Sequence, residues 1–212
     1  MVTVRPPPAQ ITPEWETLTT GTVLFRVHRR VFPDGSPNDG TSFNPGFGRG
    51  RFHVFGDPSV PVLYAADSPE GAVLETILHS KWPGDVVLDS HWRTMVLTVF
   101  EVAQDLRLAA FHGTGLRKLG LYASSLTDTA PAGYGTTALW AQRAWEAGAS
   151  GVTYVSRQLN TSRAFCLFGN RVHAPALRVL RQHSESRAFE LPEDREWLSS
   201  LAARMDITLA GL

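Results

Sequence analysis

The residues best able to do chemistry lie between Phe43 and Leu78, in the runs FNPGFGRGRF (residues 43–52) and VPVLYAADSPEGAVLETIL (residues 60–78). They read as a Gly-rich loop carrying Arg49 and Arg51, a short strand carrying Tyr64, and a capped helix carrying Glu75. Arginine, tyrosine and glutamate are the side chains an enzyme needs to hold a dinucleotide and break its glycosidic bond. That chemistry requires all of them to converge on one cleft. Singly, each has a plainer reading. Tyr64 would be a strand aromatic filling the core, and Glu75 a solvated helix residue. Ser156, at a strand end, would form a turn, and Arg157 would be a surface charge. The run Gly46–Gly50 lacks the Lys-Ser/Thr of a Walker loop, and no helix opens directly after it as a dinucleotide fingerprint requires.

The elements that must position these residues are legible as punctuation and period. Residues 1–20 hold Pro6, Pro7, Pro8 and Pro13 and read as an extended arm over the domain. Thr22–His28 reads as a strand, with Val23, Phe25 and Val27 on one face and Leu24, Arg26 and His28 on the other. Arg26 inside such a strand is unusual, although an edge strand with a solvated face would hold it. The long loop 33–50 contains Phe43 and Phe47, with Phe52 just beyond, aromatics that a disordered linker seldom carries.

Val62–Ala66 reads as the next strand, followed by Ser68 as N-cap and Pro69 at the first helical position. The apolar stripe Val73, Leu74, Ile77 and Leu78 extends the predicted helix to about Lys81, with Glu75 at its border. Thr94–Val102 is expected as a central strand and Leu116–Leu126 as a short helix. Thr136–Ala147 is an amphipathic helix ended by Gly148, Gly151–Ser156 and Ala164–Phe168 are short strands, and Pro192–Met205 is a last helix. Strands and helices are interspersed without regular βαβ alternation, which predicts an α+β fold. The chain has 212 residues, enough for one domain with a sizeable core. The expected division is an arm over 1–21 and a single domain over 22–212 with a C-terminal helical extension.

Bulk properties exclude several classes. Lys and Arg total 20, as do Asp and Glu, so net charge is zero and direct binding to nucleic acid backbone is disfavoured. Cys166 is the only cysteine, which rules out an intrachain disulfide and a cysteine-based zinc site. It lies in the apolar run Ala164–Phe168, the setting of an inert buried thiol. The seven histidines are too far apart in sequence for standard metal spacing, and no HExxH is present, so no metal is expected. Neither is a Ser–His–Asp hydrolase, because no GxSxG elbow exists. The start lacks the apolar core of a signal peptide and no apolar run approaches membrane-spanning length, so the expected location is cytoplasmic.

Taken in order, Arg26-Val27, Gly50-Arg51-Phe52, Leu63-Tyr64-Ala65-Ala66, Leu74-Glu75 and Tyr154-Val155-Ser156-Arg157 resemble the RES-domain family, over roughly residues 22–172. His53 departs from the pattern, since many members have asparagine there. The resemblance implies a fold similar to that of ADP-ribosyltransferase toxins and an NAD+-degrading toxin of a toxin–antitoxin pair. Its implied roles are specific. Arg26 and Arg51 would meet the pyrophosphate or a phosphate acceptor, with Arg49 close enough to compete with Arg51. Tyr64 would stack on or line the nicotinamide pocket. Glu75 would accept a ribose hydroxyl and stabilise the cationic transition state, and Ser156 would bond the nicotinamide-side ribose or phosphate.

NAD+ would be substrate rather than prosthetic group, with phosphate, water or a protein as acceptor. The Glu/Gln-x-Glu motif of many protein-modifying transferases is missing around Leu74-Glu75-Thr76, which ranks free NAD+ breakdown above ADP-ribosylation of a protein. A non-catalytic binding module is the reading from a different class. The implied partner is an antitoxin of the Xre helix-turn-helix type, contacting the Gly-rich loop and Arg51. The resemblance also allows a homodimer.

Overall fold

The computed structural model describes residues 4–211. Strands β1 (Trp15–Leu18) and β2 (Val23–Arg29) are followed, after the long loop, by β3 (Val62–Ala66) and helix α1 (Pro69–Leu74). Next come β4 (Val86–Val87), β5 (Met95–Val102), β6 (Leu106–Ala110), and helices α2 (Gly113–Lys118), α3 (Ala123–Leu126) and α4 (Tyr134–Glu146). The chain continues through β7 (Gly151–Val155), β8 (Arg163–Phe168), β9 (Leu177–Val179), β10 (Arg187–Ala188), α5 (Pro192–Ala203) and β11 (Thr208–Leu209).

A nine-stranded sheet runs in the order β1-β6-β7-β8-β3-β2-β5-β10, with β9 also on β5. Its pairings are antiparallel except β6 with β7. β4 and β11 form a separate parallel pair. This mixed sheet with a few flanking helices is the expected α+β fold. Leu24, Leu63, Phe100, Leu106, Leu108, Phe165 and Leu167 share one apolar cluster although their strands lie far apart in the sheet order, so the sheet curls around them. On its other face, α1 and α5 cover β2 and β5, while α4 packs Trp140, Ala141 and Ala144 against β7 and β8. Fully burying a side chain the size of Phe52 or Phe168 contributes about 1.5–3 kcal/mol.

The alternation read in β2 is real. Phe25 and Val27 enter the core on the helix side, and Leu24 enters the opposite cluster. Arg26 and His28 are not on a solvated edge, because β2 pairs with β5 along its whole length and both side chains are buried. That changes what Arg26 must mean.

Other differences have identifiable causes. Residues 15–18, within the stretch read as an arm, pair with β6 as an edge strand of the main sheet. The expected helix over 116–126 is two short helices, broken at Gly120 with φ 71°. There the N–H of Gly120 bonds to Arg117 O and that of Leu121 to Leu116 O, a Schellman ending. Helix α1 stops at Leu74 instead of continuing to Lys81. The N–H groups of Thr76 and Leu78 both turn back to the carbonyl of Val73, and Ser80 adopts φ 58°. These turns keep Ile77 and Leu78 buried, so the apolar pattern is satisfied without a helix.

Candidate active site

β2 and β3 pair at one position, Phe25 with Ala66, and separate from there. Each keeps its other neighbour, β5 for β2 and β8 for β3, so the sheet stays intact around the opening. A cleft of about 440 Å³ occupies it, lined among others by Arg26, Arg49, Arg51, Tyr64, Glu75 and Tyr134. The side chains that the sequence singled out therefore meet. Ser156 is the exception to direct lining, and its position explains Glu75.

Glu75 is the C-cap of α1, with its N–H bonded to Gly71 O. The start of that helix is tied down by Ser68, whose hydroxyl accepts from the N–H of Gly71 at 3.1 Å and meets Ser162 Oγ at 3.0 Å. Ser162 in turn donates to Asp67 at 2.6 Å. A Cβ on Gly71 would lie 2.2 Å from Ser162 Oγ, so glycine is what lets the helix sit this close to the strand β8 entry. At the other end, Ser156 Oγ donates to Glu75 Oε1 at 2.5 Å. It also accepts from the N–H groups of Gln158 and Leu159 at 3.1 and 3.0 Å. One donor and two lone pairs are thereby all used. Where the family resemblance gives Ser156 to the ligand, its hydroxyl is buried and holds the carboxylate.

The opposite wall is cationic. Arg51 is buried, and its Nη1 donates to Thr129 O at 3.0 Å and Thr129 Oγ1 at 2.6 Å. Its guanidinium carbon lies 5.2 Å from the centre of the Tyr134 ring, within cation–π range. The Thr137 hydroxyl donates to the Arg51 carbonyl, fixing its backbone from α4. Among the described residues only Nη1 of this fork is engaged by protein, and no carboxylate contacts it. Arg49 is exposed beside it.

Arg26 lies deeper. Its Nη1 donates to Gly40 O and Ser42 O at 2.9 and 2.7 Å, stapling the long loop to β2. Burial pulls its pKa down to about 10, partly offset by the Asp39 charge. That arginine pushes in turn on His28. Burial first, then the Arg26 charge, lowers the His28 pKa to about 4, so the imidazole is neutral, bonded to Arg29 O and Thr98 Oγ1.

The floor carries Tyr64. Its hydroxyl accepts from the Phe52 N–H at 2.8 Å and meets His53 Nδ1 at 3.4 Å. Burial, with smaller effects from Cys166 and Tyr154, holds the phenol well above its ordinary pKa, so it stays protonated. His53 is buried, which lowers its pKa, and Phe47 O lies 3.4 Å from its Nε2. A Cβ on Gly50 would fall 2.5 Å from the His53 ring and 3.0 Å from the Tyr64 oxygen. The Gly-rich loop thus packs on the floor at Gly50 through its missing side chain. His79 completes the carboxylate side. Its pKa is lowered by burial, with Glu75 pulling upward and Arg51 and Arg157 downward. No cluster of metal-binding type occurs among the described residues.

The RES domain family profile matches residues 23–192. The chain belongs to the RES-domain family. The match reaches beyond the 22–172 that the motifs alone cover, taking in β9, β10 and the first residue of α5. No curated protein matches this RES-domain chain. Among solved structures, a chain of the M. tuberculosis MbcT–MbcA toxin–antitoxin complex superposes with a TM-score of 0.54 at 15% identity, covering 78% of this chain and 84% of that one. At that identity the likeness is one of fold.

Thr129, Thr137 and Tyr134, which fix Arg51, had no signal in the sequence. Thr129 lies in an ordinary connection and Thr137 inside α4, and only the folded geometry brings them to an arginine 78 and 86 residues earlier.

Proposed function

We propose that this RES-domain protein cleaves the nicotinamide–ribose bond of NAD+ and acts as a toxin restrained by an antitoxin. The observation that carries this reading is Glu75, held at 2.5 Å by Ser156 in a cleft that Arg51 and Arg26 also line, with no carboxylate in contact with either arginine among the described residues. Buried guanidinium groups bonded only to neutral oxygens favour an anionic ligand, because desolvated charge is costly until it is paired. The pyrophosphate of NAD+ supplies that charge. Tyr64, a protonated phenol lining the cleft, suits the nicotinamide end.

As the glycosidic C–N bond breaks, nicotinamide leaves neutral with the bonding electron pair, so no general acid is required. The positive charge left on the ribose carbon is what the fixed Glu75 carboxylate stabilises. An acceptor oxygen then adds to that carbon. Water gives ADP-ribose and a released proton, and inorganic phosphate gives ADP-ribose phosphorylated at the same carbon. Ser156 acts by holding Glu75 and Arg51 by orienting phosphate.

The solved neighbour is a toxin–antitoxin complex, which supports a restraining partner for this chain too. A helix-turn-helix antitoxin of the Xre type fits, with DNA contact left to the partner and a segment of it covering the Gly-rich loop and Arg51. Incubation with NAD+, with and without phosphate, followed by mass spectrometry, tests the catalytic reading. Nicotinamide with one of the two sugar products is expected, and intact NAD+ after prolonged incubation would overturn it.

A further inference from the structure

The connection between α3 and α4 does more than join two helices. Thr129 within it is buried and meets Arg51 Nη1 through both its carbonyl and its hydroxyl. The same carbonyl accepts from Arg157 Nη1 at 3.1 Å, and Arg157 Nε pairs with Asp128 Oδ1 at 2.8 Å. Two guanidinium groups thus share one oxygen, and their mutual repulsion is offset by Asp128 alongside. Neither Thr129 nor Arg157 is among the residues lining the cleft. Arg157 directly follows Ser156, which holds Glu75. The base of this dipeptide is firm, since Ser156 N–H bonds to Ser162 O and Val155 pairs with Arg163 in the sheet.

We infer that Arg157 and Asp128 are positioning residues that set the Arg51 guanidinium through Thr129, so that adjacent residues at the end of β7 govern both charged walls of the cleft. The inference deepens the NAD+ reading and its catalytic consequence rests on it. The plain alternative is a solvent-facing ion pair that does nothing but decorate the surface, since 34% of the Arg157 side chain and 54% of the Asp128 side chain are exposed.

The test uses Arg157→Gln, Arg157→Lys and Thr129→Val in the full chain. Nitrogen-15 spectra report rotation of the Arg51 guanidinium, assigned by loss of its signal in Arg51→Lys. Hindered rotation in the parent protein is expected to become fast in Arg157→Gln and Thr129→Val, and Arg157→Lys, which keeps the charge beside Asp128 without the fork, should recover part of the hindrance. In NAD+ turnover the effect should fall on KM, raised about 10- to 100-fold, with little change in kcat. The melting temperature of Arg157→Gln should stay within about 4 °C of the parent, as for any exposed pair. An Arg51 guanidinium whose rotation ignores Arg157→Gln overturns the inference. If the parent protein turns over no NAD+, the spectra still decide the positioning, and only the catalytic reading falls.

Discussion

Arginines on the two sides of the sheet's central strands live in opposite circumstances. Arg163, opening β8, gives Nη2 to both oxygens of Glu16 at 2.7 Å and to Thr153 Oγ1 at 2.8 Å. Glu16 also meets His112 Nε2 at 3.0 Å. That charge is neutralised inside the protein, and the network ties edge strand β1 to the sheet. Arg26 and Arg51 bond only to carbonyl and hydroxyl oxygens among the described residues. The same residue type is architectural where its charge is matched and available where it is not. A guanidinium held in place by neutral acceptors keeps its geometry and still has charge to offer a ligand.

The sharpest way to break this contrast is to remove Glu75, the carboxylate that lines the same cleft as the unmatched arginines. Glu75→Gln keeps the shape and an acceptor for Ser156, and it should lower kcat for nicotinamide release by about a thousandfold or more, a few kcal/mol of barrier. Rapid-quench assays read this, and a near-normal rate would remove Glu75 from the chemistry. Ser156→Ala should lower kcat by about 10- to 100-fold, the worth of a hydrogen bond to a charged group, with KM little moved. A change in KM alone would put Ser156 back on the ligand.

Smaller effects test the arginines directly. ADP-ribose, at about a hundredfold over its Kd, should stabilise the fold by about 2.7 kcal/mol in thermal melts. Arg51→Lys should shrink that gain at the same ligand concentration. Arg163→Met should leave it intact, because Arg163 is already paired.

The smallest effect belongs to the closed network. Burial works to raise the Glu16 pKa, but hydrogen bonds from Arg163 and His112 outweigh it and hold the carboxyl below its ordinary 4.5. A depressed folded-state pKa adds stability above the unfolded value, and that stability is lost as pH falls through the folded one. Glu16→Gln should therefore be less stable than the parent by about 1 kcal/mol near neutrality, discounted for its partial exposure. The two denaturation curves should converge only once the pH falls below the depressed folded-state value, where the parent carboxyl also becomes neutral.

Much of this arrangement was legible before folding, where local chemistry dictated it. Val62–Ala66 is a short apolar run closed by Pro61 and Asp67, and Ser68 with Pro69 sets the start of α1. Tyr64 and Glu75 follow from those boundaries. The end of α1 was not legible, because the same apolar spacing is satisfied by turns that bury Ile77 and Leu78. The strands 15–18 and 106–110 exist by pairing with each other and with β7, and such non-local pairing leaves little mark in short segments. Arg26 was recognised, but its burial depends on β5 lying alongside. Thr129 illustrates the limit most plainly, since its role exists only through a contact that spans the chain.

The separation of β2 from β3 beyond Phe25 and Ala66 has one more implication. The hollow is a property of the main-chain frame, propped open by β5 on one flank and β8 on the other. Exchanging side chains along its rim can alter which molecule is held without collapsing the space, so one scaffold can be retuned to new small molecules by substitution alone.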